Sequence, residues 1–289
     1  MEKPKIAIQG NKGSFHHVVA EQCYTEGYEL VVCETFNDTV KALLNGSADQ
    51  AVMAIENSIA GSIIPNYALI DRNNLQIVGE YSLSIHHQLM GLPGQSIEAI
   101  REVHSHPMAL LQCQDFFHQY PHIRLIEAED TADEARRISE FQLKGVGAIA
   151  SQQAAELYGM EVYASSIQTI KNNVTRFVII QSKGTVISKE QINKAALKFI
   201  LDHQRGSLAA VLNVMSDCQL NLTKIQSLPV IETPGKYAFF VDVTFDDFAH
   251  YEKATKLIAI MASQFQMLVG VQNACRVLGQ DELLQVIAC

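Results

Sequence analysis

Short apolar runs separated by helical stretches restrict the first two thirds of this chain to an α/β fold. Lys5–Gln9 (KIAIQ), Leu30–Cys33 and Ala51–Ile55 (AVMAI) read as strands, with helices over Phe15–Glu26 and Asp38–Leu44 between them. Strands that are apolar on both faces and alternate with helices belong to a mainly parallel sheet covered on both sides. Tyr81–Leu89 (YSLSIHHQL) alternates instead, and reads as a longer strand crossing into a second lobe. A second α/β unit follows, with strands at Glu102–His104, Arg124–Ala128 and Gly145–Ala150 and helices at Pro107–Gln119, Thr131–Gln142 and Gln152–Tyr158. Thr175–Gln181 (TRFVIIQ) then returns to the first lobe. Two lobes, one crossing strand and a late return imply a cleft.

Ser182–Lys194 is polar and carries Gly184, the composition of a linker. Beyond it the order changes to strand, helix, strand, strand, helix, strand: Ala195–Leu201, Leu208–Cys218, Leu222–Pro229, Tyr237–Phe245, Tyr251–Gln264 and Met267–Leu278. Thr233-Pro234-Gly235-Lys236 is the turn of the central hairpin. This is the ferredoxin-like split βαβ order. The expected organisation is a two-lobed domain over 1–185 (lobe one 1–80 and 165–185, lobe two 81–164), a linker at 186–194, a ferredoxin-like (βαββαβ) domain over 195–279 and a tail at 280–289.

Of 289 residues, 48% are apolar and 18% charged, the balance of a folded globular chain, and the net charge of −9 argues against a nucleic-acid backbone as partner. No run approaches a membrane span and no leader is legible, so a cytoplasmic protein is expected. The six cysteines are scattered singly, as reduced thiols would be. His104, His106, Cys113, His118 and His122 crowd one stretch but lack the short paired spacing of a metal site, so no metal is expected. Neither Gly-x-Gly-x-x-Gly nor a P-loop appears, which disfavours nucleotide cofactors.

Four segments could carry chemistry. Gly10-Asn11-Lys12-Gly13-Ser14-Phe15 opens the first helix, where backbone N–H groups favour an anion; an ordinary turn capped by Ser14 explains the same residues. Glu56-Asn57-Ser58 lies past the carboxyl end of a strand, where open sheets bind ligands, and Asn57 or Ser58 could equally cap a helix. Ser105-His106-Pro107 either starts a helix, with Ser105 as cap, or points Ser105 and Gln112 into the cleft. At Thr175-Arg176-Phe177, strand alternation sends Thr175 and Phe177 to one face and Arg176 to the other; Arg176 suits a carboxylate, bound or internal.

In order along the chain, Gly10-x-x-Gly13-Ser14-Phe15, Ile55-Glu56-Asn57-Ser58 with Gly61, Ser105-His106-Pro107 with Ala109, Gln112 and Cys113, Gly147–Ser151 with Ala154-Ala155 and Tyr158-Gly159, and Asn173-x-Thr175-Arg176-Phe177 resemble prephenate dehydratase. The resemblance covers nearly the whole length. It implies a two-lobed catalytic domain like periplasmic binding proteins, a C-terminal ACT regulatory domain, conversion of prephenate to phenylpyruvate without cofactor or metal, and a homodimer or homotetramer. It implies catalytic roles for Thr175, Asn57, Ser105 and Gln112, with Thr175 hydrogen-bonding the leaving hydroxyl. Gly10, Gly13, Ser14, Arg176 and Phe177 would bind substrate, and Glu56, Glu129 and His106 would orient the site. Gly206, Ser207, Leu208, Asn221, Leu222 and Ser227 match effector positions for L-phenylalanine, although Gln226 and Leu228 replace a usual Glu and Arg. Arogenate as substrate, or a non-catalytic amino-acid sensor, are the alternatives. The expected catalytic part, 1–185, carries −8 of the net charge, so a dianion must be held by local donors rather than by bulk attraction.

Overall fold

The computed structural model describes residues 3–182, 192–230 and 233–271. Most of the expected 186–194 linker, the end of the expected 195–279 domain and the 280–289 tail lie outside the described residues. In chain order the first part comprises β1 (Lys5–Gln9), α1 (Phe15–Cys23), β2 (Glu29–Cys33), α2 (Phe36–Leu44), β3 (Gln50–Asn57), β4 (Gly61–Ser62), α3 (Ile64–Arg72), β5 (Gln76–Ser84), β6 (Gln88–Gly91), β7 (Glu102–Ser105), α4 (Pro107–Gln112), α5 (Gln114–Phe117), β8 (Arg124–Glu127), α6 (Thr131–Glu140), β9 (Val146–Ala150), α7 (Gln152–Leu157), β10 (Glu161–Ala164) and β11 (Val174–Gln181). The remainder comprises β12 (Lys194–Ile200), α8 (Ser207–Asp217), β13 (Asn221–Pro229), β14 (Tyr237–Thr244), α9 (Phe248–Met261) and β15 (Gln264–Val271).

The described residues fall into two compact units: 3–69 with 81–179, and 70–80 with those from 180 to 271. The first lobe's sheet runs β2-β1-β3-β11-β5, with β1 parallel to both β2 and β3. The second lobe's sheet runs β10-β6-β9-β7-β8, parallel at β9-β7-β8 and antiparallel at β10-β6-β9. The pleat sorts the second lobe's core into two layers. Leu89, Val103 and Ile149 pack with Leu110 and Phe117 on one face, while Met90, Ala148 and Ala150 pack with Ala135 and Ile138 on the other.

The structure departs from the expected elements at three places. The single strand over Tyr81–Leu89 is two strands, because Ile85–His87 leaves the ladder: Ile85 N–H donates to the Asn173 carbonyl at 2.7 Å and His87 N–H to Gln168 Oε1 at 3.0 Å. The helix over Pro107–Gln119 breaks at Cys113, whose backbone closes α4 and whose thiol is fully buried in the core. Strands β4 and β10 have no counterpart among the expected elements, and helix α3, which the sequence leaves open as a helix capped by Asn57 or Ser58, starts only at Ile64. Cys23, Cys33, Cys113 and Cys218 are buried.

In the second unit β13-β14-β12-β15 is the ferredoxin-like order, with every neighbour antiparallel. Ala195, Leu197, Phe199, Val241 and Val243 pack against Val211, Met215, Ala254 and Ile258 of α8 and α9. On the opposite sheet face Lys198 Nζ lies 5.8 Å from the centre of the Phe240 ring. Two ion pairs of 2.6 Å, Lys198–Asp71 and Lys194–Glu80, tie residues 70–80 to β12.

Candidate active site

Strands β3 and β11 place two asparagines and a threonine side by side. Asn57 Nδ2 donates to Asn173 Oδ1 at 2.7 Å and to Thr175 Oγ1 at 2.9 Å. Asn173 Nδ2 donates to Gln112 Oε1 at 2.9 Å, and the same oxygen lies 3.0 Å from His87 Nε2. The chain Thr175–Asn57–Asn173–Gln112–His87 therefore joins the first lobe, the end of α4 and the crossing segment. Thr175 and Asn173 are buried, as is His87, so each amide needs a partner of the right polarity.

That polarity is dictated from one end. Asn57 Oδ1 accepts the backbone N–H groups of Ile59 at 3.0 Å and Ala60 at 2.9 Å. Backbone N–H groups only donate, so the Asn57 atom facing them is the oxygen and its Nδ2 must face Asn173 and Thr175. Thr175 Oγ1 is then an acceptor toward Asn57, which directs its own O–H elsewhere. Gln112 Oε1 accepts on one side, which turns the two N–H bonds of its amide nitrogen away from the relay.

The pleat separates this cluster from Arg176. Arg176 lies on the opposite face of β11, where its Nη1 is 3.8 Å from Glu56 Oε2. Strand β11 sits between β3 and β5, so Arg176 is not on a sheet edge. Its carboxylate partner is internal. Phe177, expected to touch substrate, is 1% exposed on the face that Thr175 shares, and the His16 ring packs edge-on against it, ring centres 5.0 Å apart, sealing this position along the strand. His16 Nε2 accepts from Ala54 N–H at 3.3 Å, and burial pushes its pKa down to about 4.

The turn Gly10–Ser14 is held by protein groups. Gly10 N–H donates to the Cys33 carbonyl at 2.9 Å, Ser14 N–H to the Asn11 carbonyl at 3.0 Å and Gly13 N–H to His17 Nδ1 at 3.0 Å. These three donors, expected to cradle an anion, are engaged. Ser14 caps α1 through its hydroxyl. From the second lobe, Ser151 Oγ donates to the Gly13 carbonyl at 2.5 Å and Tyr158 to the Lys12 carbonyl at 2.7 Å, while Asn11 Nδ2 donates to Asp133 Oδ1 at 2.8 Å. The turn thus locks the two lobes together.

Ser105 is fully buried and donates to the Ile149 carbonyl at 2.7 Å, so it braces β7 against β9 and stays outside the relay. The α4 cap is His106, not Ser105: its Nδ1 accepts from Met108 N–H at 3.2 Å. Glu129 is exposed. Its neighbour Asp130 does the local orienting, accepting from Asp133 N–H at 2.8 Å at the start of α6. Burial raises the Asp130 carboxyl's pKa, opposed by hydrogen bonds from the Asp133 and Ala132 backbone. His104 pairs with Glu102 and Glu134, and no cluster of three or more metal-ligating side chains forms among the described residues.

In the second unit Gly206 takes a left-handed φ of 82° immediately before α8 and Ser207 Oγ donates to the Gln204 carbonyl at 3.1 Å. Leu208 and Leu222 pack against the core. Asn221 and Ser227 lie exposed on the edge strand β13, and Gln226 Nε2 donates to the Ser227 carbonyl at 3.0 Å.

His87 carries no sequence signal as a site residue and Asn173 reads only as part of a motif, whereas Asp130, which with Thr131 reads as a candidate helix cap, does cap α6. A histidine next to an alternating strand carries no local signal of a partner 25 residues away. No helix among the described residues is long and apolar enough to cross a membrane.

The chain matches the Prephenate dehydratase family over residues 6–185. It is 37% identical over 248 residues to arogenate dehydratase/prephenate dehydratase 2 of Arabidopsis thaliana, covering 82% of this chain and 64% of that one. It is 30% identical over 268 residues to the bifunctional chorismate mutase/prephenate dehydratase of Escherichia coli K12, covering 91% and 69%. The chain thus spans less than two thirds of the Arabidopsis relative, and 57% of arogenate dehydratase 2 of Petunia hybrida. Among solved structures, GqqA, described as a novel type of quorum quenching acylase, superposes with a TM-score of 0.83 at 27% identity, covering 93% of this chain and 97% of that one. The prephenate dehydratase of Arthrobacter aurescens, solved with L-Phe, shares the fold at a TM-score of 0.82 and 22% identity, covering 93% and 90%. On its match over residues 6–185, the chain belongs to the prephenate dehydratase family.

Proposed function

We propose that the chain converts prephenate to phenylpyruvate, and the observation that carries this reading is the 2.9 Å contact from Asn57 Nδ2 to Thr175 Oγ1. Prephenate holds a ring hydroxyl opposite the carboxylate that departs. As the bond to that carboxylate breaks, its electrons enter the ring, carbon dioxide leaves, and the bond to the hydroxyl breaks at the far carbon. The product ring is aromatic, which supplies the driving force. The protein's task is to hold the leaving oxygen, keep the departing carboxylate poorly solvated and assist proton delivery to hydroxide. Thr175, already accepting from Asn57, has its O–H available to donate to the leaving oxygen. Threonine is too weak an acid to protonate hydroxide outright, so it acts as a positioned donor. The Gln112 amide N–H groups, turned away from the relay, suit a substrate carboxylate.

The ferredoxin-like order of β12 to β15 supports a regulatory ACT domain over 195–279, following a catalytic domain over 1–185, with L-phenylalanine as effector near Gly206–Leu208, Asn221, Leu222 and Ser227. A homodimer or homotetramer in the cytoplasm completes this reading. Prephenate turnover measured with and without L-phenylalanine, with arogenate as competing substrate, tests it. Phenylpyruvate formation inhibited by phenylalanine is the expected result; formation of phenylalanine from arogenate alone would reassign the substrate.

One observation favours a second activity. Ser166 Oγ lies 3.3 Å from His86 Nδ1, with Ser166 at a left-handed φ of 52°, and GqqA is described as an acylase. A hydroxyl beside an imidazole can open an amide. Gln168 Nε2 shares the same ring nitrogen at 3.3 Å, which ranks this reading below the first. Amide hydrolysis of an N-acyl substrate, lost in S166A, is its test.

A further inference from the structure

We infer that His87 is a positioning residue, held as the neutral tautomer with its proton on Nε2, that supplies a second donor to Gln112 Oε1 and so holds the Gln112 amide in the orientation set from the Asn57 end; the inference rests on the site proposed above and extends it.

Two backbone amides set the direction of the whole chain. Ile59 and Ala60 N–H fix Asn57 Oδ1, so Asn57 Nδ2 faces Asn173. The facing Asn173 atom is then its oxygen, and the Asn173 nitrogen faces Gln112. The facing Gln112 atom is in turn its oxygen. A nitrogen 3.0 Å from that oxygen must donate, so His87 carries its proton on Nε2. Reversing any one amide would set donor against donor or acceptor against acceptor down the whole chain, ending at two backbone N–H groups that cannot reverse.

The surroundings of His87 hold the ring at the end of this chain. Its N–H donates to Gln168 Oε1 at 3.0 Å and its carbonyl accepts from Ile167 N–H at 2.9 Å, so the backbone is pinned on both sides. The Phe15 ring meets the imidazole edge-on, centres 5.6 Å apart. The side chain is buried, and Nδ1 has no hydrogen-bond partner among the described residues. A second proton would therefore sit on a buried nitrogen with no acceptor, which keeps the imidazole neutral; burial lowers its pKa accordingly. Chemically, His87 supplies a second donor to Gln112 Oε1. With both lone pairs of that oxygen used, the amide nitrogen is committed to the opposite side, where two N–H bonds can meet an anionic oxygen of the substrate.

The experiment has two arms. In the first, the full chain labelled with ¹⁵N-histidine is examined by long-range ¹H–¹⁵N correlation between pH 6 and 8, the His87 signal being assigned by its loss in H87Q. The expected result is a protonated Nε2 and a bare Nδ1 throughout. A proton on Nδ1, or a doubly protonated ring, overturns the inference, and this arm needs no substrate. The second arm measures kcat and KM for prephenate in H87Q, H87N and H87F, each alone and with Q112A. Glutamine places an N–H near the position of Nε2, whereas asparagine does not reach it. H87F and H87N are expected to lower kcat/KM about three- to tenfold, the size of one neutral hydrogen bond, with H87Q recovering most of that loss. In the Q112A background the three variants are expected to be indistinguishable. Equal loss with and without Gln112, or rescue by asparagine as good as by glutamine, overturns it. If the first arm succeeds and prephenate is not turned over at all, the functional reading fails while the tautomer assignment stands.

Discussion

Asn57 donates to Thr175 Oγ1 across 2.9 Å while its own oxygen is pinned by the Ile59 and Ala60 amides. Asn57 is therefore a one-way adaptor from backbone to hydroxyl. An aspartate there keeps the acceptor and loses the donor. N57D is expected to lower kcat about 10²–10³-fold, the cost of removing a preorganised donor, and to lower stability as well, since a carboxylate oxygen would face the buried Asn173 Oδ1. The assay is steady-state turnover of prephenate beside a urea melt. N57D activity within about threefold of wild type would contradict the adaptor role.

Gly13 has a φ of +86°, and a Cβ there would stand 2.9 Å from Ala154 Cα, a backbone atom that cannot swing aside. G13A combines a left-handed conformation with overpacking, so a loss of about 2–4 kcal/mol is expected. The urea midpoint measures it. The same change at Gly46, with a φ of +76° and nothing within 4 Å, meets only the backbone term, about 1–2 kcal/mol.

Stability is expected to fall as the pH drops from the usual histidine range toward 4. His16, pushed down to about 4 by burial, and His87, also lowered, stay neutral in the folded chain while the unfolded chain takes up protons below about 6.5. Proton uptake by the unfolded state makes stability rise with pH across that window and level off above it. H16Q keeps an acceptor for Ala54 N–H and removes one titrating ring, so its midpoint is expected to fall less between pH 7 and 4.5 than that of wild type. Parallel curves for the two proteins would show that His16 does not contribute.

Lys198 and Asp71, 19% and 15% exposed, form a pair of 2.6 Å. Removing one partner leaves the other charge mostly desolvated. K198M is expected to destabilise by about 2 kcal/mol and K198M/D71N by less, since the double variant strands no charge. Chemical denaturation of the three proteins reads this. Equal midpoints for K198M and wild type would mean the pair is solvent-screened.

What the sequence revealed followed periodicity. Strand β1 falls at Lys5–Gln9 as read, and the ferredoxin-like half follows because its alternation of strands and helices is local. The breaks at Ile85–His87 and at Cys113 escaped, because a tertiary hydrogen bond to Asn173 sets the first and burial of one thiol accompanies the second. Asn57, Gln112 and Thr175 were legible as residues yet not as a chain, since the links span 116 residues from Asn57 to Asn173 and 61 from there to Gln112. Alternation placed Arg176 opposite Thr175 correctly. It also implied that Phe177 shares Thr175's face, but could not say that this position along the strand is sealed by His16.

The donor role of Thr175 is tested most directly by T175V, which keeps the shape of the side chain and removes only the hydroxyl. The rate of phenylpyruvate formation from prephenate is measured for wild type and T175V at equal folded fraction. A fall of about 10²–10³-fold or more in kcat, with the melting curve unchanged, is the expected result. Turnover by T175V at the wild-type rate would contradict the assignment of Thr175 as the donor to the leaving oxygen.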